Sequence, residues 1–302
     1  MRETAERSLI FGKDGFIVRD IRLIGLDIDE TTLNSKKEMT PRVKAAIEAA
    51  LADGIVVLAA TGRNGANLLP EFISIPGVRY ALTANGAVVR DLLTGEVMIE
   101  DCFDKKKALE LFDEACGYEV IKGAFIDGKS YTEPVDFDEL AGVASPVTVA
   151  YLKASRIQTP DLRRLIEESS RPVEKFSLLF KENSERQRML DEYRTRAEYT
   201  VSSSLGINLE INTATANKGA ALLQLGAMLG FEREQVMAVG DGLNDVQMIK
   251  AVGYGVAMAN AEEEVLAVAD AVTLSCNEDG VALAIESVRR GGTPLPPPQR
   301  SL

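Results

Sequence analysis

Residues 21–31, IRLIGLDIDET, decide the fold of this chain. Their first part, residues 21–26, is mainly aliphatic and β-branched, which is typical of a buried strand in a parallel sheet. The polar part places Asp27 and Asp29 two positions apart. Their side chains share one face if the strand continues, whereas Asp29 leans back over the strand end if a loop begins there. Either conformation brings two carboxylates close together.

A helix and a second strand follow this segment. Thr40 is predicted to cap the helix, Pro41 occupies its first position, and Gly54 is placed to adopt the left-handed conformation that ends a helix. Residues 55–60, IVVLAA, form the second buried strand. A strand, a helix and a strand joined by short connections make a βαβ unit, which predicts a parallel sheet with right-handed crossovers.

The same alternation of helices and strands returns over residues 218–275, whereas residues 87–207 carry half-exposed strands and helices with one charged face. We therefore predict a Rossmann-like parallel α/β core made of residues 1–86 and 208–302. Residues 87–207 form an inserted α+β domain. The Pro-rich tail, residues 292–302, is predicted to be disordered, and residues 9–18 are predicted to form a hairpin.

The composition excludes several classes of chemistry. The 302 residues include no histidine, which rules out Ser-His-Asp triads, Cys-His pairs and histidine-ligated zinc or haem. The net charge of −12 argues against nucleic acid or an anionic membrane as the main partner. Three scattered cysteines without a CxxC pattern predict neither a disulfide framework nor a thiolate metal site: Cys102, Cys116 and Cys276. Without an apolar leader segment, the chain is expected to be cytoplasmic.

Polar groups follow three of the predicted core strands. Besides the Asp27 segment, these are residues 61–63, TGR, and residues 240–245, GDGLND. Ligands of open parallel sheets bind at the carboxyl ends of the strands. Carboxylates brought together there repel by about 4 kcal/mol per pair at about 4 Å for an effective dielectric constant of about 20. A hard divalent cation offsets this repulsion, and oxygen ligands without histidine or cysteine favour Mg²⁺.

Each motif also has a simpler interpretation when taken alone. An Asp-x-Asp-x-Thr triplet arises by chance in some chains of this length. Lys218 could be a solvated lysine in the first turn of a helix, and residues 61–63 could be a plain strand-to-helix turn. Arg63 either reaches a substrate phosphate or covers the rim of the site. The glycines of residues 240–245 and 253–255 lack the third glycine of a dinucleotide fingerprint.

Together, however, four segments resemble the four motifs of the haloacid dehalogenase-like (HAD) superfamily in order and setting. They are residues 27–31 (DIDET), 60–63 (ATGR), 217–219 (NKG) and 240–245 (GDGLND). The chain more specifically resembles Cof-type sugar phosphatases with a C2 cap, subclass IIB. That resemblance rests on residues 85–87 (NGA), 209–211 (LEI) and 255–258 (GVAM).

The resemblance implies a HAD-like fold and a magnesium-dependent phosphatase for a small phosphorylated metabolite, with a sugar phosphate expected. It implies that Asp27 is the nucleophile that forms an aspartyl-phosphate. Asp29 would be the general acid and base, with a pKa raised by crowding from Asp27. Thr61 and Lys218 complete the implied catalytic set. The implied phosphate-binding residues are Thr61, Gly62, Arg63, Lys218 and Asn244. The implied metal ligands are Asp27, Asp29 through its backbone carbonyl, Asp241, Asn244 and Asp245.

Two departures from the family pattern lie beside the aspartates. Glu30 replaces the usual glycine, which is tolerable if its backbone angles are negative, and Thr32 replaces the usual leucine. Two alternatives to a phosphatase stay open: a phosphomutase of the same superfamily, and a non-catalytic metal- or phosphate-binding sensor. The protein is expected to be a monomer or small homo-oligomer.

Overall fold

The computed structural model describes residues 10–11, 17–18, 20–289 and 295–298. Within these residues the strands are β1 (Ile10–Phe11), β2 (Ile17–Val18), β3 (Leu23–Leu26), β4 (Val56–Ala60), β5 (Tyr80–Thr83), β6 (Val88–Asp91), β7 (Val97–Glu100), β8 (Gly123–Ile126), β9 (Lys129–Thr132), β10 (Ile157–Gln158), β11 (Val173–Leu179), β12 (Tyr199–Ser202), β13 (Asn208–Thr213), β14 (Val236–Gly240), β15 (Tyr254–Ala257) and β16 (Ala271–Val272). The helices are α1 (Pro41–Ala52), α2 (Pro70–Ile73), α3 (Lys105–Ala115), α4 (Pro146–Ser155), α5 (Leu162–Glu168), α6 (Asn183–Tyr193), α7 (Lys218–Met228), α8 (Val246–Ala251), α9 (Glu263–Val268) and α10 (Gly280–Val288).

The core is an eight-stranded sheet in the order β16-β15-β14-β3-β4-β5-β6-β7. Neighbouring strands are parallel from β16 to β5, and β6 and β7 extend the sheet as antiparallel strands. Leu26 at the end of β3 lies opposite Val239 of β14 and Ala59 of β4. The carboxyl ends of these three central strands therefore meet at one edge, as predicted.

Helices cover both faces of this sheet because residues along β3 alternate between them. Ile24 and Leu26 belong to a buried cluster with α1 and α10, whereas Leu23 packs with α7 and α8 on the other face. A Cβ atom on Gly25 would lie 2.6 Å from Leu222 Cδ2 of α7. Glycine at this position therefore allows α7 to lie close against the sheet.

A second sheet of six strands has the order β10-β9-β8-β11-β13-β12. Helices α3, α5 and α6 pack against it around a separate buried cluster. This arrangement confirms an α+β domain inserted into a parallel α/β core. We call residues 103–213 the cap.

The sheet pairings shift both predicted boundaries of the insertion. Residues 88–100, predicted to belong to the cap, form β6 and β7 of the core sheet, because β6 pairs with β5. Residues 208–213, predicted to belong to the core, form β13 of the cap sheet, because β13 pairs with β11 and β12. The chain therefore crosses into the cap after β7 and returns after β13.

The chain ends are described only in part. Strands β1 and β2 pair antiparallel as the predicted hairpin requires, and residues 12–16 between them lie outside the described residues. Of the tail predicted to be disordered, residues 295–298 are described. Leu295 packs against the core and the Pro296 carbonyl accepts a hydrogen bond from the Val272 amide at 3.1 Å, so the prediction is wrong for this part.

Over the described ranges, no helix has the length and apolar character needed to span a bilayer.

Candidate active site

Three acidic side chains come together at the edge where β3 and β14 end. One carboxylate oxygen from each of Asp27, Asp241 and Asp245 lies within 4.8 Å of the others. A cavity of about 670 Å³ lies above them, between the core and the cap. Asp27 and Asp241 border this cavity, whereas Asp245 is fully buried beneath it.

Lys218 connects two of these carboxylates from below. It is the first residue of α7, which Asn217 caps by accepting a hydrogen bond from the Ala220 amide. The buried Lys218 ammonium donates to Asp27 Oδ1 at 2.6 Å and to Asp245 Oδ1 at 2.7 Å. Burial alone would lower the pKa of Lys218, but the two carboxylates more than offset it and raise that pKa. The alternative of a solvated lysine is therefore wrong.

The loop after β14 is built around the carboxylate of Asp245. Asp245 Oδ2 accepts hydrogen bonds from the amides of Asp241 and Gly242, each at 3.1 Å. A Cβ atom on Gly240 would lie 2.5 Å from Asp245 Cγ, so this close approach requires glycine. Asp245 thus fixes the backbone that presents Asp241.

The three-carboxylate cluster fits a divalent metal ion. Burial, with smaller effects of Asp245 and Asp241, raises the pKa of Asp27 well above its usual range, although Lys218 opposes the shift. Burial and then Asp245 raise the pKa of Asp241 to about 7. One ammonium faces three carboxyl groups, which leaves an excess of negative charge in a buried place. A divalent cation would neutralise that charge, and oxygen donors of this kind suit Mg²⁺.

Asp29 is not one of the three clustered carboxylates and pairs instead with Arg63. Its carboxylate accepts two hydrogen bonds from the Arg63 guanidinium, at 2.7 and 2.9 Å, and one from Lys37 at 3.4 Å. Burial raises the pKa of Asp29, but the hydrogen bonds and charge of Arg63, with Lys37, outweigh it, so the pKa lies below its ordinary value. The expectation that crowding by Asp27 raises this pKa is wrong, because the bidentate arginine dominates.

The remaining predicted residues border the same cavity. Thr61 is buried, and its hydroxyl accepts a hydrogen bond from the Arg63 amide at 3.1 Å. The Gly62 carbonyl accepts one from Lys175 at 2.6 Å. Asn244 donates to Asn85 Oδ1 at 3.3 Å. The structure therefore brings the predicted site residues to one place, with Lys218 below the cavity wall.

The two departures from the family pattern have distinct conformations. Glu30 adopts φ 61° and ψ 12°, the left-handed region, so the negative angles under which we expected a side chain to be tolerated do not occur. The hydroxyl of Thr32 donates to the Asp27 carbonyl at 2.5 Å and so supports the backbone of Asp27.

Cap residues that the sequence analysis did not single out also reach the site. Lys175 on β11 is fully buried and lies 2.8 Å from Glu210 Oε1 on β13. Glu210 also accepts a hydrogen bond from Asn85 at 2.7 Å, so the pair contacts the core. The sequence did contain a signal for Lys175, because a lysine within the largely apolar stretch VEKFSLLF, residues 173–180, indicates a buried and paired charge. Tyr151 and Arg156, which border the cavity from the cap, carried no such signal.

Comparison with known proteins agrees with this geometry. The sequence model of the haloacid dehalogenase-like hydrolase family matches residues 24–285. Phosphatase YwpJ of Bacillus subtilis is 32% identical over 283 residues, covering 87% of this chain and 98% of the relative. The putative phosphatase YxeH of Bacillus subtilis is 34% identical over 273 residues, covering 88% and 98%.

A solved haloacid dehalogenase-like hydrolase from B. subtilis is 28% identical and superposes with a TM-score of 0.77, over 89% of this chain and 100% of that one. The family model spans most of the chain, and the relatives match it over nearly their whole length. This chain belongs to the haloacid dehalogenase-like hydrolase family.

Proposed function

We propose that this hydrolase is a magnesium-dependent phosphatase that releases phosphate from a small phosphorylated metabolite, with a sugar phosphate expected, through an aspartyl-phosphate on Asp27. The observation that carries the proposal is the cluster of Asp27, Asp241 and Asp245 around buried Lys218, at the floor of the cavity between core and cap. The relatives named as phosphatases support the reaction class.

The metal would be held by Asp27, Asp241, Asn244, Asp245 and the backbone carbonyl of Asp29. When bound, it supplies positive charge that neutralises the phosphoryl oxygens and makes phosphorus accessible to an anionic nucleophile.

Asp27 is placed to attack the phosphoryl group from the cavity floor. One oxygen of its carboxylate bonds to Lys218, which holds the side chain in one orientation and favours its ionised form. Attack of the carboxylate on phosphorus forms the Asp27–phosphoryl bond as the bond to the substrate alcohol breaks. Thr61, Gly62 and Arg63 border the cavity beside Asp27 and would bind the phosphoryl oxygens.

Asp29 would carry the proton in both half-reactions. Its lowered pKa keeps it ionised while Arg63 is bound to it. A substrate phosphate that takes over the guanidinium of Arg63 would release Asp29 and raise its pKa. Asp29 would then take up a proton from solvent and give it to the leaving alkoxide, and it would later remove a proton from the water that hydrolyses the aspartyl-phosphate.

Substitution of the proposed nucleophile tests the mechanism. Asp27→Asn is expected to lower kcat for an aryl phosphate by more than about 10³-fold in the presence of Mg²⁺. The matched control is Asp191→Asn, an exposed aspartate on α6. Retention of a tenth or more of the wild-type kcat by a folded Asp27→Asn variant would show that Asp27 is not the nucleophile.

Two further measurements address the metal and the substrate. EDTA is expected to abolish activity and Mg²⁺ to restore it, whereas activity indifferent to both would contradict the metal assignment. A screen of phosphorylated metabolites for phosphate release identifies the substrate. Product analysis in the same screen separates hydrolysis from isomerisation, which a phosphomutase would catalyse.

A further inference from the structure

Arg156 of the cap presents a guanidinium to the cavity, next to neutral groups. It follows helix α4 directly and borders the cavity. Its Nη1 donates to the Ser130 hydroxyl, and its Nη2 donates to Ser177 Oγ at 2.9 Å. Its Cζ lies 5.1 Å from the ring centroid of Phe125. These contacts hold the guanidinium in place without neutralising its charge.

Arg156 makes no ion pair within the part of the chain that the structure describes. Glu210 is near enough to act on its charge, but that carboxylate already pairs with Lys175 at 2.8 Å and accepts a hydrogen bond from Asn85. Arg156 Nε is buried without a hydrogen-bond partner among the described residues. Burial lowers the pKa of Arg156, as expected for a cation that lacks a carboxylate. A cation in this setting is unfavourable unless an anion reaches it.

The two walls of the cavity therefore differ in charge. On the core side, Arg63 is neutralised by Asp29, and the floor carries Asp27 and Asp241. On the cap side, Arg186 of α6 also borders the cavity and bonds to the neutral amide of Asn183 at 3.0 Å. The net charge of the chain is −12, so the positive charge on the cap wall is opposite in sign to the charge of the molecule as a whole. This positive charge favours a ligand that is negatively charged at both ends.

We propose that Arg156 binds a second anionic group of the substrate, a carboxylate or a phosphate, remote from the phosphoryl group that is transferred. The proposal rests on the phosphatase function above. It narrows the substrate class to metabolites with two separate anionic groups, here called doubly anionic, such as phosphorylated sugar acids or bisphosphates. A guanidinium presents parallel N–H donors that match a carboxylate or a phosphate. Tyr151 lies on α4, which ends immediately before Arg156, and its ring centroid is 5.7 Å from Arg63 Cζ. All three side chains border the cavity.

Matched substrates test the proposal in the wild-type protein. 6-Phosphogluconate and glucitol 6-phosphate differ only in a carboxylate against a hydroxymethyl group. Glucose 1,6-bisphosphate and glucose 6-phosphate differ in a second phosphate. The wild type is expected to favour the doubly anionic member of at least one pair by about 30-fold in kcat/KM, mainly through KM, and the pair concerned identifies the anion. Equal kcat/KM within both pairs would overturn the proposal.

Substitution assigns the preference to the residue. Arg156→Met keeps an aliphatic side chain over Phe125, and we expect it to lose about 30-fold more kcat/KM on the pair member with two anionic groups than on the member that carries only the transferred phosphate. Arg156→Lys keeps the charge without the paired donors and should retain part of the preference. The control Arg188→Met removes an exposed arginine of α6 and should keep the wild-type preference. Equal losses on both members in Arg156→Met would indicate a structural role and overturn the proposal.

Binding separates this inference from the proposed reaction. Calorimetry on Asp27→Asn measures the affinities of 6-phosphogluconate and glucitol 6-phosphate without turnover, and glucose 1,6-bisphosphate is compared with glucose 6-phosphate in the same way. Tighter binding of a doubly anionic member supports the Arg156 site even if no phosphate ester is hydrolysed by the wild type. Equal affinities within both pairs contradict the site even if the wild type proves to be a phosphatase.

Discussion

At the scale of single residues, Glu30 shows backbone strain next to Asp27 and Asp29, the proposed catalytic aspartates. It occupies the left-handed region at φ 61°, between Asp29 and Thr31. For a residue with a Cβ atom this region costs about 1–2 kcal/mol, a strain that glycine does not have. Its ion pair with Lys37, at 3.6 Å and exposed, recovers little of that free energy. The turn is therefore held by its surroundings, including the Asn260 side chain, which donates to the Glu30 carbonyl at 2.9 Å.

Replacing this residue with glycine should stabilise the protein. We expect Glu30→Gly to raise the free energy of unfolding by about 0.5–1 kcal/mol, because relief of the strain exceeds the entropy that glycine adds to the unfolded chain. Urea unfolding measures the change. The control Glu30→Ala removes the charge but keeps the Cβ atom, so it should not gain this stability. If Glu30→Gly were no more stable than Glu30→Ala, the left-handed backbone at this position would not be strained.

The sequence located the residues of the site better than it described their ionisation. Asp27 and Asp241 were predicted to meet because each follows a core strand, and the resemblance to the HAD motifs placed Lys218 with them. The pKa of Asp29 was predicted in the wrong direction, since it depends on where the long Arg63 side chain ends. Sequence spacing fixes which strand end carries a residue, but it does not fix which partner its charged group selects.

At the scale of secondary-structure elements, strands β11 and β13 carry the buried ion pair that joins the cap to the core. Lys175 and Glu210 lie on these adjacent strands, 2.8 Å apart. Lys175 also donates to the Gly62 carbonyl in the loop after β4. Glu210 is further satisfied by Asn85, Ser204 and Asn208. Because the donors and acceptors are matched, the pair is tolerated in a buried place and positions the loop that contains Thr61.

Removing one member of this pair should be costly. Lys175→Met leaves Glu210 buried without its cation, so we expect a loss of about 3–5 kcal/mol in the free energy of unfolding. The double variant Lys175→Met with Glu210→Gln removes both charges and should recover part of this loss. Urea unfolding measures stability. The kcat for an aryl phosphate reports on the position of the loop that contains Thr61, and it should be lower in both variants than in the wild type.

The matched control is Lys181→Met. It removes an exposed lysine that lies just after β11 and pairs with Glu139. It should change stability by no more than about 0.5 kcal/mol. If Lys175→Met were as stable as Lys181→Met, the buried pair would not join cap and core in the way described.

Local signals predicted the elements, but the cap boundary needed non-local pairing. The hydroxyl of Thr40 accepts a hydrogen bond from the Val43 amide, and Gly54 has φ +81°, both as the sequence predicts for the ends of α1. By contrast, β6 and β13 have patterns typical of either sheet. Their membership follows from pairing with β5 and with β11, which short-range periodicity does not encode.

At the scale of the whole molecule, the insertion places a cavity between two sheets with separate cores. The sequence predicted two domains and the residues on the core side of the cavity. It did not predict the cap side, where Lys175 lies on β11, Tyr151 lies on α4 and Arg156 directly follows α4. How close these residues lie to the loop after β4, which contains Thr61, depends on how the cap packs on the core. This is why the motifs predicted the core side of the cavity and did not predict the cap side.

The buried carboxylates also link the stability of the whole molecule to pH and to Mg²⁺. In the folded protein the pKa of Asp241 is raised to about 7, whereas in the unfolded chain an aspartate titrates near about 3.9. Between these values the folded state binds more protons, so the metal-free protein loses stability as pH rises through this window. The proposed Mg²⁺ would bind the deprotonated carboxylate, so its stabilising effect would grow over the same range.

Thermal unfolding at two pH values tests this linkage. Saturating Mg²⁺ is expected to raise Tm more at about pH 8 than at about pH 6, because protons compete with the metal less at the higher pH. Asp241→Asn removes both the titrating group and a ligand, so its Tm should depend less on pH in the metal-free state and respond weakly to Mg²⁺. Asp191→Asn, the exposed control, should behave as the wild type does. An equal Mg²⁺ shift in Tm at both pH values would show that Asp241 does not hold its proton against the metal, and that the excess negative charge of the cluster is balanced in another way.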